Sequence, residues 1–229
     1  MATIALLPMK AHSERVSGKN FKTMAGKPLF RWILDSLLAV ESIDQIVINT
    51  DAISTLSEMG LATNDRVIIR ERRTEICGDH VSMNLIIQDD LQATDADTYI
   101  MTHTTNPLLS SGTIIKALDA FKTAKLLNSA DSLFGVTKFQ TRFYKEDGSA
   151  VNHDPDNLIR TQDLEPWYEE NSCIYIFDKA SFAKTNARIG QKPILFEIPK
   201  LEAIDIDEKE DWFLANAVAK GLKEEANYA

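Results

Sequence analysis

The amino-acid sequence predicts an α/β domain, doubly wound around a mostly parallel sheet. Three observations carry that expectation. Short apolar runs alternate with segments of helical spacing through the first half of the chain. The rhythm changes after about residue 130, where a polar stretch separates further strands. The polar residues with chemical potential collect in connections that follow strands, where ligands bind in open α/β sheets.

The elements follow in order. TIALLP, residues 3–8, is a buried first strand. PLFRWILDSLLAV places Leu29, Trp32, Ile33 and Leu37 at helical spacing. DQIVINTD and RVIIR are the second and third strands, rich in β-branched residues. SMNLIIQDDLQA is a helix with Ser82 placed to cap it. DTYIMTH is the fourth strand and SGTIIKALDAFKTA the next helix. SLFGVTKF, CIYIF and ILFEIP are later strands, and KEDWFLANAVAKGL closes the chain as an amphipathic helix. Within RFYKEDGSAVNHDPDN, Asp147-Gly148 marks a hairpin turn. Residues 1–229 read as one Rossmann-like domain, with an insertion at approximately 135–170 and no linker that would set it apart.

Composition narrows the function. The chain has 229 residues, enough for a sizeable core, and is 44% hydrophobic and 26% charged, as folded soluble domains are. A net charge of −9 argues against broad nucleic-acid binding. Cys77 and Cys173 have neither disulfide-framework nor metal-ligand spacing, which suits a reducing, cytoplasmic setting. No secretory leader and no membrane-length apolar run is read.

Four connections carry chemistry. After the first strand, Lys10, Arg15 and Lys19 put three cations on one loop, with Ser13 adding a hydroxyl. Such a loop can wrap a phosphate chain, although it matches neither GxxxxGK[ST] nor GxGxxG; the alternative is a solvated basic loop. In RRTEICGDHVS, Arg72 and Ser82 can fix the polar edge of a base, or be a surface arginine and a helix cap. In HTTNPLL, His103 either meets a ligand or caps the strand end. In AIDIDEKEDW, Asp205 and Asp207 are two apart and in an extended segment face one side. Paired carboxylates suit Mg²⁺, the alternative being an acidic start to the last helix.

LLPMKAHSERVSGKNFKTMAGKPL resembles the N-terminal signature of the cytidylyltransferases that activate 2-keto-3-deoxy sugar acids, the acylneuraminate and 3-deoxy-manno-octulosonate enzymes. Pro8, Ser13, Lys19, Asn20 and Gly26-Lys27-Pro28-Leu29 match the first branch; Arg15 and Gly18-Lys19 are closer to the second. Lys10 replaces an arginine, and Ala11-His12 two glycines. Arg72, Glu75, Asp79 and Ser82 resemble a second motif, and HTTNPLL is similar to QPTSPLR. The octulosonate branch has a metal-binding aspartate where Thr105 stands, so the likeness favours the acylneuraminate side. IRTQDLEPWYEENSCIYIF resembles RxQDLPxxYxENGAIYI, with Ser172-Cys173 in place of Gly-Ala. VDIDxxxD resembles the segment around Asp205 and Asp207.

The resemblance implies a nucleotidyltransferase sheet with a small dimerisation insertion. It implies transfer of CMP from CTP to the anomeric hydroxyl of a nonulosonate-type acid sugar, with release of pyrophosphate. Lys19, Asp205 and Asp207 would be catalytic, the two aspartates holding Mg²⁺. Lys10, Ser13, Arg15, Asn20, Arg72 and Ser82 would bind the nucleotide, and His103, Arg160, Asn171 and Tyr175 the sugar. Arg160 is the candidate for the sugar carboxylate, since a guanidinium matches a carboxylate bidentately. A homodimer is implied, with the insertion reaching the partner's sugar site. Rival expectations are a transferase for another sugar or nucleotide, a non-catalytic nucleotide-binding relative, and a dinucleotide oxidoreductase, which the lack of GxGxxG disfavours.

Overall fold

The computed structural model describes residues 2–13 and 15–228. Strand β1 (Thr3–Leu6) is wholly buried and lies inside a seven-stranded sheet. Its alternating side chains serve two layers, as the period of two requires. Ala5 and Leu7 pack into one core with Ile46, Ile48 and Ile100, while Ile4 and Leu6 pack into the other with Val47, Tyr99 and Met101. Helices α1 (Leu29–Leu38) and α4 (Ser111–Leu126) cover the first face through Phe30, Ile33, Leu34, Ile114, Leu118 and Phe121. Helices α3 (Met83–Ala93) and α5 (Lys179–Thr185) cover the second through Ile87, Leu91 and Phe182. This is the doubly wound architecture the alternating pattern predicts.

The remaining elements are the small hairpin β2 (Thr23–Met24) and β3 (Lys27–Pro28), strand β4 (Gln45–Thr50), helix α2 (Ile53–Glu58), strands β5 (Val67–Glu71), β6 (Thr98–Thr102), β7 (Ser132–Phe139), β8 (Trp167–Phe177) and β9 (Pro193–Glu197), and helix α6 (Lys209–Tyr228). The sheet order is β5-β4-β1-β6-β8-β7-β9. β8 is antiparallel to both β6 and β7, and every other pairing is parallel, so β8 alone opposes the other six strands. The chain winds outward from β1 through β4 to β5, then returns to place β6 on the other side of β1. That reversal opens a crevice at the carboxyl ends of β1 and β6. A third cluster, Met24, Leu29, Leu108, Ile206, Ala215 and Ala219, fastens α6 beside this end.

The insertion is narrower than expected. Residues 136–139 and 167–170 belong to the sheet, with Val136 opposite Glu170 and Phe139 opposite Trp167. The segment outside it is therefore 140–166. Its hairpin turn forms at Asp147-Gly148: Gly148 takes φ 81, and Tyr144 bridges Ala150. Phe143 stacks on Trp167 at 5.3 Å between centroids, and Arg142 Nη2 donates to the Ile159 carbonyl at 2.6 Å. Both cysteines are free. No helix among the described residues is long and apolar enough to cross a membrane.

Candidate active site

At the crevice lies a cavity of about 340 Å³, walled by the loop after β1, the end of β5 and the loop after β6. Lys10, Ser13, Arg15, Lys19, Asn20, Arg72, His103 and Asp207 all line it. Eight of the thirteen residues singled out from the sequence are thus brought to one place. The loop gets there by turning inward at Gly18, whose φ of 60 is a conformation that strains residues with a Cβ. The turn starts a short 3₁₀ segment, Lys19–Phe21, that points Lys19 into the fold.

Lys19 is 8% exposed. Its Nζ donates to the Ile206 carbonyl at 2.5 Å and stands 3.6 Å from Asp207 Oδ1. Burial lowers its pKa, while Asp207 and Asp205 work to keep it charged. Asn20 staples the loop down: its Nδ2 donates to the Lys10 carbonyl at 2.8 Å, and its Oδ1 accepts from Thr104 Oγ1 at 2.6 Å. Lys10 pairs with Asp79 across the cavity. Arg15 pairs with Asp207 at 2.9 Å and Glu208 at 3.0 Å. The loop's cations and the acids of the 205–208 segment therefore face each other over the cavity.

Arg72 is buried, which rules out the surface alternative. Its Nε donates to Asn49 Oδ1 at 2.9 Å, and its Nη2 to the carbonyls of Asn49 at 2.8 Å and Met9 at 3.1 Å. It ties the ends of β1 and β4 together at the cavity wall. Beneath it runs a charge network: Arg70 pairs with Asp89 and Asp90, Arg73 with Asp89 at 2.9 Å, and Asn49 Nδ2 donates to Asp90 Oδ1 at 2.8 Å. The sequence carried a sign of it, since adjacent acids stand among the apolar residues of α3 and a polar Asn49 near the end of buried β4.

His103 lines the cavity, and its Nε2 is closed off from solvent with no protein partner. Burial, then Arg188 and Lys19, push its pKa down to about 3. The imidazole is neutral at physiological pH, with one nitrogen lacking a hydrogen bond. Tyr175 stands behind it, ring edge to ring face at 6.5 Å.

Five residues are not on this cavity. Ser82 caps α3, its Oγ accepting from the Asn84 N–H at 3.3 Å, and lines a neighbouring cavity instead. Asn171 is buried, with Nδ2 donating to Thr137 Oγ1 at 3.2 Å and Oδ1 accepting from the Cys173 N–H at 3.3 Å. Tyr175 is fully buried and donates its hydroxyl to Glu170. Arg160 has a side chain 73% exposed on the 140–166 arm, and closes on Asp163 at 2.7 and 3.1 Å rather than facing a pocket. Asp205 lies under the cavity wall, beside the buried Ile206.

Asp205 and Asp207 are the candidate carboxylates for a divalent metal. Asp205 Oδ1 is buried without a hydrogen-bond partner, and burial raises this carboxyl's pKa with Asp207 adding to the rise. Asp207 is half-exposed and opens on the cavity. No group of three or more metal-ligating side chains occurs among the described residues. Two carboxylates with the rest of the shell from phosphate and water is how Mg²⁺ is commonly held.

One residue with a claim on this region left no mark in the sequence. Arg188 sits in the turn after α5, its guanidinium carbon 3.9 Å above the Tyr175 ring centroid. Nothing in TNARIG distinguishes it from a surface turn.

A family model described as cytidylyltransferase matches residues 4–225. The chain is similar to the N-acylneuraminate cytidylyltransferase of Streptococcus agalactiae serotype V, at 23% identity over 93% of this chain and 52% of that protein. It thus spans about half the length of that relative. It is similar over nearly its whole length, 99% of this chain and 100% of the other, to the pseudaminic acid cytidylyltransferase of Campylobacter jejuni serotype O:2, at 22% identity. Among solved structures, a CMP:2-keto-3-deoxy-manno-octonic acid synthetase complexed with CTP superposes with a TM-score of 0.66, covering 96% of this chain and 98% of that one at 14% identity. The last comparison concerns the fold.

Proposed function

Because the chain belongs to the cytidylyltransferase family, we propose that it is a CMP-sugar synthetase, transferring CMP from CTP to the anomeric hydroxyl of a 2-keto-3-deoxy, nonulosonate-type acid sugar. The observation that carries the reading is the meeting of Lys10, Arg15, Lys19 and Arg72 with Asp207 around one cavity at the sheet's switch point. The three loop cations, Lys10, Arg15 and Lys19, suit a triphosphate, and relatives that act on such acid sugars match most of the chain.

The sugar oxygen forms a bond to the α-phosphorus as the bond from that phosphorus to the bridging oxygen breaks, and pyrophosphate leaves with the electron pair. The hydroxyl proton passes to solvent or to a phosphate oxygen, since His103 is too weak a base to hold it. Such a reaction asks the protein for alignment and charge neutralisation. Lys19, fixed by the Ile206 carbonyl, meets the charge growing on the α-phosphate. Arg15 and Lys10 exchange their carboxylate partners for the outer phosphates. Arg72, already committed to three backbone and amide acceptors, holds the wall against which the base lies. We assign His103, which lines the cavity, to the sugar. Asp205 and Asp207 would hold Mg²⁺, which would supply neutralisation of phosphate charge and make the attacking hydroxyl more acidic. We place the protein in the cytoplasm as a homodimer whose 140–166 arm reaches the partner.

Pyrophosphate release, measured with each nucleoside triphosphate against a panel of keto-deoxy acids, tests this. Release is expected only with CTP and an acid sugar. Release with another pair reassigns the substrates, and no release with any pair leaves a binding protein.

A further inference from the structure

A second cavity of about 350 Å³ adjoins the first, lined by Ser82, Asn84, Glu170 and Arg188 over the apolar side chains of Met83 and Ile189. Met83 lines both; His103 lines the first and packs edge-on against Tyr175, over whose ring Arg188 of the second cavity sits. We propose that Arg188 is the residue that reads the carboxylate of the acid sugar, and that this cavity receives the sugar's acid end. The proposal rests on the reaction assigned above and adds the residue that selects its substrate.

Three features support it. Arg188 is built in: its side chain is 19% exposed, its guanidinium carbon sits 3.9 Å from the Tyr175 ring centroid, and its Nη2 donates to the Tyr175 hydroxyl at 3.0 Å and reaches Glu170 Oε1 at 3.4 Å. Its Nε and Nη1 have no protein acceptor among the described residues, so a planar set of donors remains for a ligand. A carboxylate is an anion that such a plane pairs with bidentately, and the phosphates are assigned to the first cavity.

The other cations are spoken for or misplaced. Lys10, Arg15, Lys19 and Arg72 stand along the cavity assigned to the nucleotide. Arg160 is turned onto Asp163 on the arm. His103, between the cavities, is uncharged. Arg188 is the cation on the far side of His103, which is where the sugar extends once its anomeric oxygen faces the α-phosphate. Glu170 accepts a hydrogen bond from the Tyr175 hydroxyl and is an acceptor for a sugar hydroxyl. Its contact with Arg188 is long enough to be given up for a better-placed carboxylate.

Steady-state kinetics on Arg188→Met, with the acid sugar and with its carboxamide, test the assignment. The wild type is expected to prefer the acid over the carboxamide. In Arg188→Met the KM for the acid is expected to rise about 10- to 100-fold, the size of one lost charged hydrogen-bond pair. The KM for CTP stays within about twofold, since the nucleotide's groups lie elsewhere, and the preference for the acid disappears. Arg188→Gln, which can keep a bond to Tyr175, repeats the measurement if the methionine variant does not fold. A variant that retains the wild-type preference for the acid overturns the role of Arg188 and leaves the reaction standing. A wild-type protein that turns over CTP with no acid sugar overturns the reaction, and the assignment with it.

Discussion

Lys19 carries opposed demands on one atom. Burial disfavours its charge and lowers its pKa, and Asp207 and Asp205 oppose that shift at a site where water screens little. Lys19→Ala is expected to lower kcat by about 100- to 1,000-fold, the usual loss for one transition-state donor, while the melting temperature moves little. Near-normal turnover in that variant would remove Lys19 from the mechanism. Asp90 makes a second case. It is fully buried, its Oδ2 lacks a partner, and burial raises its pKa to about 6 in spite of Asn49 and Arg70. The unfolded chain ionises this group near 3.8, the folded chain only near 6. Folding stability therefore falls as pH rises between those values, by up to about 3 kcal/mol, and levels off above. Asp90→Asn has no proton to lose and escapes the fall. Urea midpoints from pH 4 to 7 are expected to show the variant gaining on the wild type; a constant difference across that range sinks the account.

Strands β7 and β8 show how one element shapes the site. Their register shifts between Phe134 and Val136, and β8 bends there through Asn171 and Ser172. Ser172 takes φ 58, a left-handed conformation, at the position where the resembled motif has glycine. Gly135 faces this bend, and a Cβ built on it would lie 2.8 Å from Asn171 Oδ1 and 3.1 Å from Ile198. Gly135→Ala is expected to displace the Asn171 amide and destabilise the protein by about 1–3 kcal/mol, as overpacking does. An alanine variant with unchanged stability would show that the bend yields freely. The first-half strands and the long helices were legible because each buries a face whose period shows in the letters. Helices α2 and α5, of six and seven residues, are too short to display a period and were not foreseen. The direction of β8 was not legible either, because a buried strand reads alike in both directions. Its first half, Trp167–Glu170, is exposed and pairs only with β7, which hid its length behind polar letters.

Across the whole molecule, most of the cavity was legible because the switch-point rule turns strand ends into neighbours: Lys19, Arg72, His103 and Asp207 are far apart in sequence and share one wall. What the rule does not reach is a side chain delivered by an irregular turn, as Arg188 is, or a segment whose partner lies outside the chain. The 140–166 arm is the segment for which we propose such a partner. It is held by the stack of Phe143 on Trp167 of β8 and by the Arg142 bond to the Ile159 carbonyl, yet leaves Leu158 62% and Tyr144 55% exposed, with Ile159 and the adjoining Trp167 and Tyr168 of β8 also uncovered. Apolar side chains gathered on a projecting, ordered hairpin favour burial against another surface. In a closed two-fold assembly that surface is the same region of a second copy. Sedimentation velocity at working concentration is expected to give a species of twice the 25.7 kDa chain mass. Leu158→Asp, which puts a charge into the contact without touching either cavity, is expected to shift it toward monomer. Turnover should fall with the dimer fraction if the arm closes the partner's sugar site, and rise again as protein concentration is increased. A wild-type monomer with full turnover would free the arm from both assembly and catalysis.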